Sequence, residues 1–212
     1  MVFVSAYLAL SVGALAIAPV LGREPIPCVS ESTFKMKSIL FCALNRQYVT
    51  PELKAVLLDF SINMEQQFPD TTTLVLDANF PFISGFPLLP HLSHNDGRKV
   101  DLAFFYKDDS GFLNGITRSP IGYFAFENGP TECAENMITL RWDLAWLQML
   151  WPDYDLEPRR MAHALQLLGE DERVGKVFIE PHLKSRLLAH NPKIRFQGCR
   201  AARHDDHIHL QL

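Results

Sequence analysis

The sequence predicts an α+β fold, a small antiparallel sheet flanked by helices and long loops. Three observations carry that prediction. Helix-like and strand-like segments come in runs, without the strict βαβ alternation of a parallel sheet. Residues 100–106 and 207–212 have the composition and alternation of strands. The chain holds 14 Pro and 15 Phe, which suits a loop-rich domain packed on aromatic side chains.

Taken in order, residues 23–48 read as an irregular lead-in tethered by cysteines. Thr50-Pro51-Glu52 then opens a helix: Thr as N-cap, Pro at the first helical position, an acid in the first turn. Leu53, Val56, Leu57 and Phe60 form its buried stripe. Residues 72–76 are a strand candidate, and 100–106 a stronger one. Between them, residues 80–97 hold three Pro, two Gly and two His, a loop long enough to be functional. Residues 107–120 are turn-rich, and 122–126 read as a short aromatic strand. Helices are expected over 143–151, ending before Pro152, and over 157–168, closed by Gly169. A buried strand over 174–179, a short helix over 183–189 and the strand 207–212 complete the chain. Trp142, Trp146 and Trp151 are expected in the core, and the Asp153, Asp155 and Glu157 run at a solvated helix start.

Composition narrows the function. The 212 residues, 48% hydrophobic, suffice for one sizeable core. A net charge of −4 gives no basic surplus for nucleic acid. Residues 1–22 carry no charged side chain and are long enough for a membrane span. Polar chain begins at Arg23 after a small residue, so a cleaved export signal is preferred to a membrane anchor. Residues 23–212 then form the working domain, outside the cytoplasm. Cys28, Cys42, Cys133 and Cys199 lack CxxC spacing; in an exported chain they favour up to two disulfides, with three pairings open. Buried free thiols are the alternative.

Five of the eight histidines fall in two patches, around His91 and His94 and around His204, His207 and His209. Each patch mixes imidazole with carboxylate, the donors a catalytic zinc accepts when one position must stay open. Strand residues i and i+2 share a face, so His207 and His209 project together while Ile208 and Leu210 turn to the core. Asp101 is the second residue of its strand, and a turn at Gly97 can fold His94 back beside it. If the two strands are neighbours, His94, Asp101 and His209 supply three ligands to one ion. The bland reading is a polar strand face and ordinary loop residues, and it weakens when both patches are taken together. His163 reads as a helix-face residue.

The spacing His91-x-x-His94-x-x-Gly97-Arg98-x-Val100-Asp101, followed by His204-x-x-His207-x-His209, resembles the lysostaphin, D-Ala-D-Ala peptidase and hedgehog-domain superfamily of zinc peptidases. The nearest branch is that of penicillin-insensitive murein endopeptidase. The resemblance implies a fold of that type and a zinc metallopeptidase acting on peptidoglycan stem peptides or cross-links, in the periplasm or outside the cell. It implies zinc on His94, Asp101 and His209, with His207 as the base that deprotonates the attacking water. Asp206 stands where another branch keeps a carboxylate base, and alternation along the strand favours His207. His91 and His204 would line the cleft. Arg98, Lys99 and Arg203 are the candidates to meet a substrate carboxylate, and the sequence does not choose among them. Residues 115–127 match no motif of the family and are expected to wall the groove. A D-Ala-D-Ala carboxypeptidase or dipeptidase, or a non-catalytic zinc-stabilised binding module, are the competing readings.

Overall fold

A computed structural model describes residues 2–29, 32–89, 91–131, 133–134, 141–142 and 144–212. The chain forms a mixed α/β structure whose centre is a six-stranded sheet. Its order is Ile194–Arg195, Lys176–Phe178, His207–Gln211, Lys99–Ala103, Thr73–Asp77, Phe34–Met36. The four inner strands are antiparallel neighbours. Each outermost pair is parallel, so the sheet is antiparallel only where the histidines and Asp101 sit. One face packs on the helices Pro51–Gln67 and Pro158–Glu170, burying Val75, Val100, Leu102, Val177, Ile208 and Leu210 against Leu53, Leu57 and Leu165. Each fully buried aliphatic side chain contributes about 1.5–3 kcal/mol.

Thr50 caps the Pro51–Gln67 helix, its Oγ1 accepting from the Leu53 amide (3.3 Å). Glu157 caps Pro158–Glu170 through the Arg159 and Arg160 amides; of the carboxylate run it alone opens the helix, and it is buried there, while Asp155 lies in the strand Asp155–Leu156. Gly169 lies inside that helix and does not close it: a Cβ there would sit 2.7 Å from the Asn191 side chain.

Other expectations need correction. The strand expected over 100–106 breaks at Phe104 and Phe105, both buried, and Tyr106–Asp108 joins a second, three-stranded sheet with Gly111–Phe112 and Asp155–Leu156. Residues 122–126 form no strand, because Gly122 (φ 87°) and Phe124 (φ 64°) leave the extended region. The helix expected over 143–151 shrinks to Ala145–Gln148; Asp143 lies outside the described residues. Trp142 and Trp146 are exposed instead of buried. The helix expected over 183–189 runs Pro181–Arg186.

The cysteines pair in sequence order, Cys28 with Cys42 and Cys133 with Cys199. Two disulfides suit an oxidising compartment. At the N-terminus, Val2–Ile17 is an α-helix continued by the 3₁₀ turn Ala18–Leu21, together apolar and long enough to cross a membrane.

Candidate metal centre

The register of the sheet assembles the site. His209 lies opposite Asp101 on one side and Phe178 on the other, and Asp101 lies opposite Asp77. Cross-strand partners present their side chains on one face. The row Phe178, His209, Asp101, Asp77 therefore crosses four strands opposite the helix-covered face.

The long loop brings His94 to this row. Asn79 clasps its two ends: Nδ2 donates to the Lys99 carbonyl (2.7 Å), and Oδ1 accepts from the Gly97 amide (3.1 Å). Gly97 turns at φ 83°, and a Cβ there would lie 2.5 Å from Cζ of the buried Arg23. The positive φ demands glycine, and any side chain would also push the Arg23 guanidinium aside. Gly97→Ala is expected to cost about 1–3 kcal/mol in a denaturant titration and to weaken metal uptake by moving His94.

Three ligand atoms converge. His94 Nε2 lies 3.2 Å from Asp101 Oδ1 and 3.3 Å from His209 Nδ1, and His209 Nδ1 is 2.7 Å from Asp101 Oδ1. A tetrahedral zinc with bonds of about 2.0–2.1 Å needs ligand atoms about 3.3 Å apart. Two edges match, and the third, here a hydrogen bond, would have to open by about half an ångström to take the ion. His94 Nδ1 donates to the Ala78 carbonyl (3.0 Å), which directs Nε2, once deprotonated, at a metal. The Gln211 amide lies 3.0 Å from His209 Nε2 and holds that ring. The residues fit the ion.

His207, two residues before His209, turns Nε2 to within 3.7 Å of Asp101 Oδ1. Its Nδ1 bonds Asp206 Oδ1. The other Asp206 oxygen accepts from the Phe124 amide (2.6 Å), so Asp206 faces His207 and the backbone. His204 packs on His207 and His209, with ring centroids 4.9 and 5.5 Å away. These three imidazoles form a second group able to hold an ion.

His91 completes the opposite wall. Its Nδ1 donates to Asp77 Oδ2 (2.8 Å) and lies 3.3 Å from Asp101 Oδ2. Asp77, His91, His94 and Asp101 are also close enough to share a metal. Arg46 forks onto both Asp77 oxygens, however, with Nε donating to Oδ1 at 2.8 Å. A guanidinium on both oxygens leaves Asp77 an orienting group for His91. Tyr123 Oη donates to Asp101 Oδ2 (2.7 Å), fixing the carboxylate from its far side.

Electrostatics follow the packing. Burial pushes Asp101 up, but His94, His207 and His209 around it hold it well below the usual carboxylate range. Burial lowers His207, and Asp101 with Asp206 overcomes it, raising the ring to about 9. His94 is raised against its burial by Asp101 and Asp77. Burial, then His207 and His209, keeps His204 well below the usual histidine value.

Two cavities meet at His91 and His207. One is lined by Leu92, Ser93, Gln197, Ala201 and His204; the other by Tyr123, Phe124, Phe126, Trp142 and Arg203. The structure thus gathers His91, His94, Asp101, His204, Asp206, His207 and His209 around one point. Arg98 is not brought there: it pairs with Glu52 (2.7 Å) on the surface, because its side chain leaves the sheet toward the Pro51–Gln67 helix. Lys99 pairs with Asp96. Sequence reasoning missed Asp77 and Arg46 and placed Tyr123 only within a segment expected to wall the groove, where it does line a cavity; a buried acid ending a strand was the one available signal, at Asp77. No protein-family model and no curated protein matches the chain.

Proposed function

We propose that the protein is a zinc-dependent hydrolase of peptide amide bonds, acting on bacterial cell-wall peptides in the manner of a murein endopeptidase, in the periplasm or outside the cell. The observation that carries the reading is the convergence of His94 Nε2, Asp101 Oδ1 and His209 Nδ1 within 3.3 Å of one another, beside a His–Asp pair. The cell-wall substrate rests on the motif resemblance.

His94, Asp101 and His209 would hold the zinc. Bound there, zinc would supply Lewis acidity toward a carbonyl and acidify water. His207, in its neutral form, takes a proton at Nε2 and passes it to the leaving amine. Asp206 fixes the His207 ring by binding Nδ1. His91, held at Nδ1 by Asp77, offers Nε2 to the substrate from the other wall.

Charge in the cleft favours an internal bond over a C-terminal residue. Among the described lining residues the one permanent cation is Arg203. It forks onto Asp205, with Nε donating to Oδ1 (3.0 Å), and stacks on Phe126 at 4.1 Å. A carboxypeptidase needs a cation free for the substrate terminus. The two cavities share His91 and His207 in their walls, an arrangement that suits a chain continuing past the site.

Metal analysis of the purified protein and mass spectrometry of digested cell-wall fragments test the proposal. One zinc per chain and splitting of cross-linked dimers are expected. Loss of terminal alanine alone would favour the carboxypeptidase, and intact fragments the binding module. Zinc uptake is further expected to release protons and to weaken as pH falls. His94 is raised above its ordinary value in the metal-free protein and must give up its Nε2 proton to bind. Calorimetry in buffers of different ionisation enthalpy reads that release.

A further inference from the structure

The apolar N-terminal helix is docked on the domain along one stripe. Tyr7 Oη donates to the Ala43 carbonyl (2.6 Å), and Asn45 Nδ2 donates to Ser11 Oγ (2.9 Å) and to Tyr7 Oη (3.2 Å). Ala14 and Ala18 are buried with Tyr48, and the half-buried Phe82 packs against them. Steps of four, three and four residues place Tyr7, Ser11, Ala14 and Ala18 on one helical face. The other faces stay open, with Phe3 82%, Leu10 70% and Ile17 53% exposed.

Two apolar patches flank the docked stripe. Ile39, Leu40 and Leu44 are exposed on and just after the short helix that supplies Ala43. Ile83, Phe86 and Leu89 are exposed on the loop whose Phe82 packs on the helix. Arg23, just past the helix, donates to Ser84 Oγ (3.0 Å) and fastens that loop. An apolar surface of this extent needs a partner.

The docked helix cannot also stand upright in a bilayer. Its contacts from Tyr7 to Ala18 run about 16 Å at 1.5 Å per residue, over half of a hydrocarbon core about 30 Å thick. An upright helix would draw Asn45 and irregular backbone into lipid, where unpaired polar groups are costly. Lying flat, it meets lipid with its open faces, and the domain serves as its polar side.

We propose that the protein sits on one leaflet of a lipid bilayer, with residues 2–21 in the plane of the interface and the Ile39/Leu40/Leu44 and Ile83/Phe86/Leu89 patches entering the same layer. The second patch leads directly into His91 and His94, so the rim of the cleft lies at the membrane surface. The inference is independent of what the cleft hydrolyses.

Spin labels on the full chain bound to phosphatidylethanolamine–phosphatidylglycerol vesicles test it, placed by Phe3→Cys, Leu10→Cys, Ile17→Cys, Leu40→Cys, Leu89→Cys and, as the aqueous control, Glu172→Cys. Oxygen and nickel-chelate collision rates give depth. The three helix labels are expected at one shallow depth of about 5–10 Å, with the labels at 40 and 89 shielded as well. In parallel, the combined change Ile83→Ser, Phe86→Ser, Leu89→Ser is expected to weaken vesicle partitioning at least about tenfold. Helix depths running through the midplane, or labels at 40 and 89 in water, would overturn the proposal. So would a purified chain beginning after Gly22, or a dimer that covers the patches without lipid.

Discussion

Asp101→Asn is expected to strip zinc from a protein that still folds, whereas Asp101→Ala should both strip it and destabilise the chain. Asp101 Oδ1 meets His209 at 2.7 Å, His94 at 3.2 Å and His207 at 3.7 Å, while Oδ2 accepts from Tyr123 at 2.7 Å. Alanine leaves those groups without their common partner in a fully buried place, a loss of about 3–5 kcal/mol. Asparagine keeps an acceptor and the volume but removes the charge. Its zinc affinity should fall more than about a hundredfold, beyond the 10–100-fold typical of groups that only orient a ligand. Competition with a chelating dye measures the first effect, and urea titration of the metal-free proteins the second. The stability difference carries a pH signature. Despite the burial that pushes it up, the folded Asp101 carboxyl lies well below its unfolded value. Its contribution is present above about pH 4 and is lost as pH falls through the lower folded value. An Asn variant that bound zinc like the parent would move the ion to His204, His207 and His209.

What could be read from the chain follows a physical divide. The Thr50-Pro51-Glu52 start and the Leu53, Val56, Leu57, Phe60 stripe are local, and the helix begins where they indicate. The pairing of His207 with His209 on one strand face is local too, since it needs only the two-residue repeat of an extended chain. Gly97 was readable as a turn, and its φ of 83° shows why. Which strands lie side by side is not local. Asp77 joins the site only because Thr73–Asp77 pairs with Lys99–Ala103 through a shifted register. Arg46 reaches Asp77 from the lead-in, 31 residues away in sequence. Tyr123 sits in a segment whose left-handed residues, Gly122 and Phe124, defeat any reading by alternation. The edge strands Phe34–Met36 and Ile194–Arg195 are too short to announce themselves. Arg98 failed for the opposite reason: the motif placed it well in sequence, but Glu52 at the N-terminus of the adjacent helix captures it.

His207→Ala should keep the zinc and lose the hydrolysis. The ring stands two strand residues before His209, with Nε2 3.7 Å from Asp101 and Nδ1 held by Asp206. A positioned base of this kind contributes about 10²–10⁴ in rate, so that fall in kcat is expected with metal content unchanged. Asp206→Asn should fall less far and differ in kind. The amide no longer compels the tautomer that leaves Nε2 free, a loss that lowers turnover more than binding. It also removes one of the three carboxylates, Asp101, Asp206 and Asp205, that hold His207 up at about 9 against its burial. The acid limb of the rate profile should therefore move to lower pH in Asp206→Asn. That shift separates a carboxylate that tunes the imidazole from one that is itself the base, since a missing base would flatten the limb instead of moving it. Equal zinc content with no hydrolysis in either the parent or His207→Ala would leave these imidazoles a binding surface, and the convergence of ligands would then serve stability alone.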